Sequence, residues 1–168
     1  MSNPRLTLYI ELLEAARKHT LQIAEGVPEA NRLNQIQAGK ATPLWLIGHL
    51  ANTINTLVLI YTLRQESILS RETSILFAPD FVGGKAPTTN PDEYPAWDEV
   101  IALYNEAFDK AIAGLRELDD SILENPLPGK LNDQLREYFS SIGVTLGIMV
   151  SHDAYHRGQI GMLAKLSS

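Results

Sequence analysis

Two histidines four residues apart, His152 and His156, stand in the segment Ser151-His152-Asp153-Ala154-Tyr155-His156-Arg157-Gly158-Gln159, inside a stretch that otherwise reads as an apolar helix. On an α-helix, positions i and i+4 lie one above the other on the same face, so both imidazoles can converge on a single ion. A third ligand would complete a facial set, and His49 in Pro43-Leu44-Trp45-Leu46-Ile47-Gly48-His49-Leu50 is the candidate. Three neutral imidazoles hold a divalent metal through bonds of about 2.0–2.1 Å and leave coordination positions for water or substrate. No glutamate follows the first histidine, so this is not the His-Glu-x-x-His motif of zinc proteases.

The stripe Thr145, Met149, His152, His156, Gln159 and Leu163 advances in steps of three and four, which points the histidines towards the interior or the rim of a helical core. A single inward histidine is usually a hydrogen-bonded core residue; two stacked on one face ask for more. Trp45, His49, Asn52, Thr53 and Thr56 form a comparable stripe, and together with Tyr155 they are candidates to line a pocket. Gln159 could hold an imidazole in the required tautomer. Asp153 lies about 100° round the helix from His152, a poor position for a co-ligand, and is expected to pair with Arg157 four residues on. His19 reads as a favourable charge at a helix C-terminus, and Gly158 and Gly161 as sites of close helix crossing.

These residues need long helices to carry them. Helical periodicity runs over residues 4–25, 43–68, 96–119 and 140–166. The first segment stops at Gly26-Val27-Pro28; the second starts at Thr42-Pro43, a polar N-cap followed by proline where its missing N–H costs nothing. Residues 69–95 form a connection long enough to cover the mouth of a site. Residues 121–139 read as a loop followed by a short helix. No alternating strand pattern competes, so the fold expected is all-α, a four-helix bundle in a single domain spanning residues 1–168.

Composition narrows the function. With 168 residues, 45% of them hydrophobic, the chain can bury one substantial core. It has no cysteine, which excludes disulfides, thiolate ligands and cysteine nucleophiles, leaving nitrogen and oxygen as metal donors. A net charge of -6 with scattered basic residues argues against nucleic acid, and no basic amphipathic helix suggests a membrane surface. The first residues lack the pattern of a secretory signal, and no stretch reads as long and apolar enough to span a bilayer, so a cytoplasmic protein is expected.

His49 in Trp-Leu-Ile-Gly-His-Leu, followed about a hundred residues later by His152-Asp-Ala-Tyr-His156-Arg-Gly-Gln159, resembles the DinB-like family over the full chain. The resemblance implies a four-helix bundle of up-down-down-up topology, with a long crossover between helices two and three, and a homodimer. It also implies a metal site of one histidine from helix two and two from helix four, matched here by His49, His152 and His156, with zinc or nickel as the ion. Relatives of this kind include metal-dependent transferases that use low-molecular-weight thiols, an isomerase and amide hydrolases, so a small-molecule substrate is expected. A non-catalytic bundle with a structural histidine cluster, or a stress-related binding protein, is the alternative.

Overall fold

The computed structural model describes residues 4–166. Four long helices carry the architecture: α1 (Pro4–Glu25), α2 (Pro43–Ile54), α4 (Trp97–Arg116) and α6 (Ile142–Leu163). Two short ones, α3 (Arg71–Leu76) and α5 (Asp133–Tyr138), lie in the connections before α4 and α6. Among the described residues there is no strand.

The helix starts follow from local chemistry. The Thr42 hydroxyl accepts from Trp45 N–H (3.1 Å), with Pro43 at the first helical position, as the sequence predicts. Ser141 caps α6 through Val144 N–H (3.2 Å), and Glu99 reaches back to Ala96 N–H (3.0 Å) at the head of α4. Each satisfies a backbone donor that the helix itself leaves unpaired.

Side-chain contacts fix the topology. Tyr9 packs on Gly147, Thr20 on Asp153 and Ile23 on Gly161, so α1 and α6 run parallel. Glu14 reaches Arg116 while Arg17 reaches Asn105 and Asp109, so α1 and α4 run antiparallel. Arg32, whose carbonyl accepts from Leu44 N–H at the head of α2 (3.0 Å), stacks on Trp97 at the head of α4, and Leu63 meets Gly114 near the end of α4, so α2 and α4 are parallel. This is the up-down-down-up bundle, with residues 63–96 as its long crossover. One hydrophobic core fills it, built around fully buried Leu13, Leu46, Ile47, Leu59, Tyr104, Phe108, Leu115 and Leu146.

The second helix departs from the sequence reading. It does not continue to residue 68 but widens into a π-helical stretch, Asn55–Thr62, where Leu63 N–H bonds Val58 O (2.9 Å) and Thr62 Oγ1 bonds Leu57 O (2.8 Å). Asn55, fully buried, then holds the departing chain by accepting from Ile68 N–H (2.9 Å) and donating to Ser67 Oγ (3.0 Å). The apolar run Leu57–Tyr61 looks too long for one core, yet Leu57, Val58 and Leu59 are all buried within this chain because α2 is enclosed on several sides. By length and composition Pro43–Thr62 is long and apolar enough to cross a membrane, contrary to the sequence reading; 78% of that window is buried inside the bundle.

Candidate metal centre

The two histidine-bearing helices, α2 and α6, are neighbours, and they bring His49, His152 and His156 together. His152 Nε2 lies 3.2 Å from His49 Nε2 and 3.0 Å from His156 Nε2. Tetrahedral zinc with bonds of ~2.05 Å separates neighbouring donor nitrogens by about 3.3 Å, so both His152 contacts are within a few tenths of an ångström of that spacing, and all three donors lie within 4.8 Å of one another.

Hydrogen bonds on the far side of two rings decide where their protons sit. His49 Nδ1 is 3.0 Å from the Phe77 carbonyl, which can only accept, so that nitrogen carries the hydrogen and Nε2 presents its lone pair. His156 Nδ1 is 2.6 Å from Gln159 Oε1, and the same amide donates through Nε2 to Tyr155 Oη (3.3 Å), which fixes its oxygen towards the ring. His156 Nε2 is therefore also a bare acceptor. A neutral His152 has one N–H at most, so it can satisfy only one of its two contacts. Both contacts fall on the single atom His152 Nε2: protonated, it offers one hydrogen to two acceptors, and bare, it faces both neighbours lone pair to lone pair, an arrangement a divalent cation resolves.

Electrostatics keep the imidazoles in the ligand form. Burial, then the neighbouring His156, lowers His49 to about 4, against a small opposing effect of the Phe77 carbonyl. Burial, then His156 and His49, lowers His152 to about 3. Burial also lowers His156, opposed by Gln159 and Asp153. All three are neutral at pH 7.

Local sequence explains the rigidity of His49. Trp45, stacked on the His49 ring at 4.8 Å, donates from Nε1 to Leu76 O (2.9 Å), and Asn52 donates from Nδ2 to Ser74 O (3.1 Å). With the His49 bond to Phe77, three side chains of α2 satisfy three carbonyls at the C-terminal end of α3, which the short helix cannot pair itself. The stripe Trp45, His49, Asn52 thus docks the crossover against the site. Phe77 reaches this position because residue 48 is glycine: a Cβ there would lie 2.3 Å from Phe77 Cε1.

The histidines open onto a cavity of about 680 Å³ whose wall includes Trp45, Asn52, Thr53, Thr56, Met149 and Phe139. The crossover closes one side through Ser74, Ile75, Pro79, Phe81 and Val82, so this long connection does cover the site. Among the described residues Arg71 is the only charged side chain on the wall, and no carboxylate lines it.

Several expectations change. Tyr155 is exposed and stands outside the cavity, edge-on to His156. Asp153 does meet Arg157 (3.3 Å), but its closer partners are Thr20 Oγ1 (2.6 Å) and Tyr104 Oη (2.7 Å), both donating to a carboxylate that is 1% exposed. Burial raises both Asp153 and Tyr104. A methyl group added at Gly158 would meet no atom within 4 Å, and one at Gly161 would meet only Ile23 at 3.8 Å; neither glycine marks a close crossing. His19 is exposed on α1, away from the cluster. The Phe77 carbonyl, Gly48 and Arg71 escaped the sequence reading. Only Gly48 left a signal, a glycine beside a histidine in a strongly apolar helix.

Comparison with known families matches the DinB superfamily over residues 12–160. No curated protein matches the sequence. The chain belongs to the DinB superfamily.

Proposed function

We propose that this DinB-superfamily protein is a metal-dependent enzyme acting on a small molecule, of the small-thiol S-transferase or hydrolase type. The observation that carries the reading is the pairing of a three-histidine cluster with the adjoining cavity: the donors converge on one point, and their open side faces a space the size of a small-molecule site. His49, His152 and His156 would hold the ion, zinc or nickel by resemblance to the family. A bound divalent cation would supply Lewis acidity, lowering the pKa of a water or holding a thiolate.

The remaining roles belong to the chain. Phe77 O and Gln159 Oε1 keep the hydrogens of His49 and His156 on Nδ1 and their lone pairs on Nε2. Trp45 excludes water from one face of His49. The wall offers no carboxylate to act as a general base, and the chain has no cysteine, so any sulfur nucleophile arrives as a cosubstrate. A structural site would be closed by a fourth protein ligand; no further His, Cys, Asp or Glu joins this cluster among the described residues.

The test is turnover by zinc- or nickel-loaded protein against a panel of thiols with electrophilic acceptors, and of amides and esters, with chelator and His156→Ala as controls. Activity abolished by both is expected. Turnover insensitive to chelator and to His156→Ala would overturn the assignment.

A further inference from the structure

We propose that the cavity beside the three histidines binds an elongated apolar molecule carrying one anionic group, with the anion at Arg71 and the apolar body lying along α2 towards His49. This deepens the enzyme reading by naming the substrate class of the same site, although the binding itself needs no metal.

Charge is the first argument. The chain has 14 lysines and arginines and 20 aspartates and glutamates, yet the cavity wall takes only Arg71 from all of them. Among the described residues its guanidinium makes no ion pair and no hydrogen bond, whereas Arg5, Arg17, Arg116 and Arg157 are each paired with a carboxylate. The adjacent Glu72 carboxyl is held below its usual range chiefly by backbone N–H and by Ser70, with Arg71 the weakest influence. A planar guanidinium on an otherwise uncharged wall suits a carboxylate or another oxyanion.

Geometry sets the length. His49 holds Phe77 O and Asn52 holds Ser74 O, and Arg71 stands one turn before Ser74 at the start of α3. Both Thr56 and Arg71 line the cavity. From His49 to Thr56 is seven residues along the helix, about 10 Å at 1.5 Å per residue. Leu57, Ile75, Leu135, Ile148 and Met149 make most of the remaining wall apolar, with Asn52 and Thr53 as the polar groups between His49 and Thr56 on α2. Such a largely apolar surface rewards methylene or aryl carbon. An eight-carbon chain spans about this distance.

The experiment is isothermal titration of the full-length protein with octanoate, butyrate and 1-octanol, using zinc-loaded wild type, Arg71→Gln and His156→Ala. Arg71 is exposed at the start of a short helix, so its replacement leaves the core intact. Octanoate is expected to bind wild type, more tightly than butyrate by up to about fourfold per added methylene. Arg71→Gln should weaken octanoate by about three- to tenfold and leave 1-octanol unchanged. His156→Ala should keep the Arg71-dependent octanoate binding. Octanoate affinity untouched by Arg71→Gln and lost in His156→Ala would place the anion at the histidines and overturn the proposal, as would no binding of any probe. Wild type that takes up no zinc yet binds octanoate through Arg71 would sink the metal reading and uphold this one.

Discussion

Replacing Gly48 with alanine places a methyl group inside the Phe77 ring, since the new Cβ would sit 2.3, 2.4 and 2.6 Å from Cε1, Cδ1 and Cζ. Ordinary van der Waals contact needs more than an ångström of extra separation. The ring is fully buried and stacks against Tyr94, so it cannot simply swing into solvent. Overpacking of this kind costs about 1–3 kcal/mol. Alanine returns up to about 1 kcal/mol in helix propensity, leaving a net loss of up to about 2 kcal/mol. Displacing Phe77 also moves the carbonyl that orients His49, and loss of such an outer partner weakens metal binding by about 10- to 100-fold. Urea unfolding and zinc titration by calorimetry read the two effects. Gly158→Ala is the matched control: with open space at its Cβ, it should stabilise the protein by about 0.5–1 kcal/mol and leave zinc affinity unchanged. Gly48→Ala that equals or exceeds wild type in stability and affinity would refute the account of Phe77 as a positioned partner.

Gln159→Leu removes the acceptor from His156 Nδ1, and should weaken zinc about 10- to 100-fold with little change in the unfolding midpoint. Asp153→Ala strands Thr20 and Tyr104 in the core, frees the half-buried Arg157, and should cost about 3 kcal/mol or more in denaturant unfolding; a loss under 1 kcal/mol would contradict that network. In the metal-free chain, His49 and His152 titrate below their unfolded value near 6.5, so the unfolded state binds more protons between pH 6.5 and about 4. Stability is complete well above pH 6.5 and falls as the pH drops through it, by about 1.4 kcal/mol for each histidine at pH 5.5. Thermal melts of chelated protein from pH 7.5 to 5 should show that fall, and excess zinc at pH 7 should raise the melting temperature. A homodimer is expected to use the outer faces of α1 and α6, where Leu8, Leu12, Tyr155 and Met162 are exposed. Light scattering that finds a monomer at micromolar concentration would remove it.

The long helices and the histidine trio were legible because each rests on a periodic signal: α1 ends at Glu25, where Gly26 places its stop, and His49, His152 and His156 share the two faces that meet. What escaped lay in tertiary context. The π-helical end of α2 depends on how the chain leaves for α4, tied by a buried Asn55 whose partners are remote in sequence from any pattern. A backbone carbonyl such as Phe77 O carries no residue-type signature. Asp153 showed its helical neighbour Arg157 but not Thr20 and Tyr104, because i,i+4 reasoning sees one helix at a time. Gly158 misled for the same reason: a helical glycine signals either closeness or indifference, and only the packing tells which.

The most direct test is metal content per chain, by elemental analysis of tag-free protein purified without chelator, for wild type and His49→Ala, His152→Ala and His156→Ala. Close to one equivalent of a divalent metal in wild type, with clear loss in each variant that still folds by circular dichroism, is the result predicted. Wild-type protein that carries no metal and takes up neither zinc nor nickel on addition would contradict the metal centre and leave the three histidines as a packed cluster.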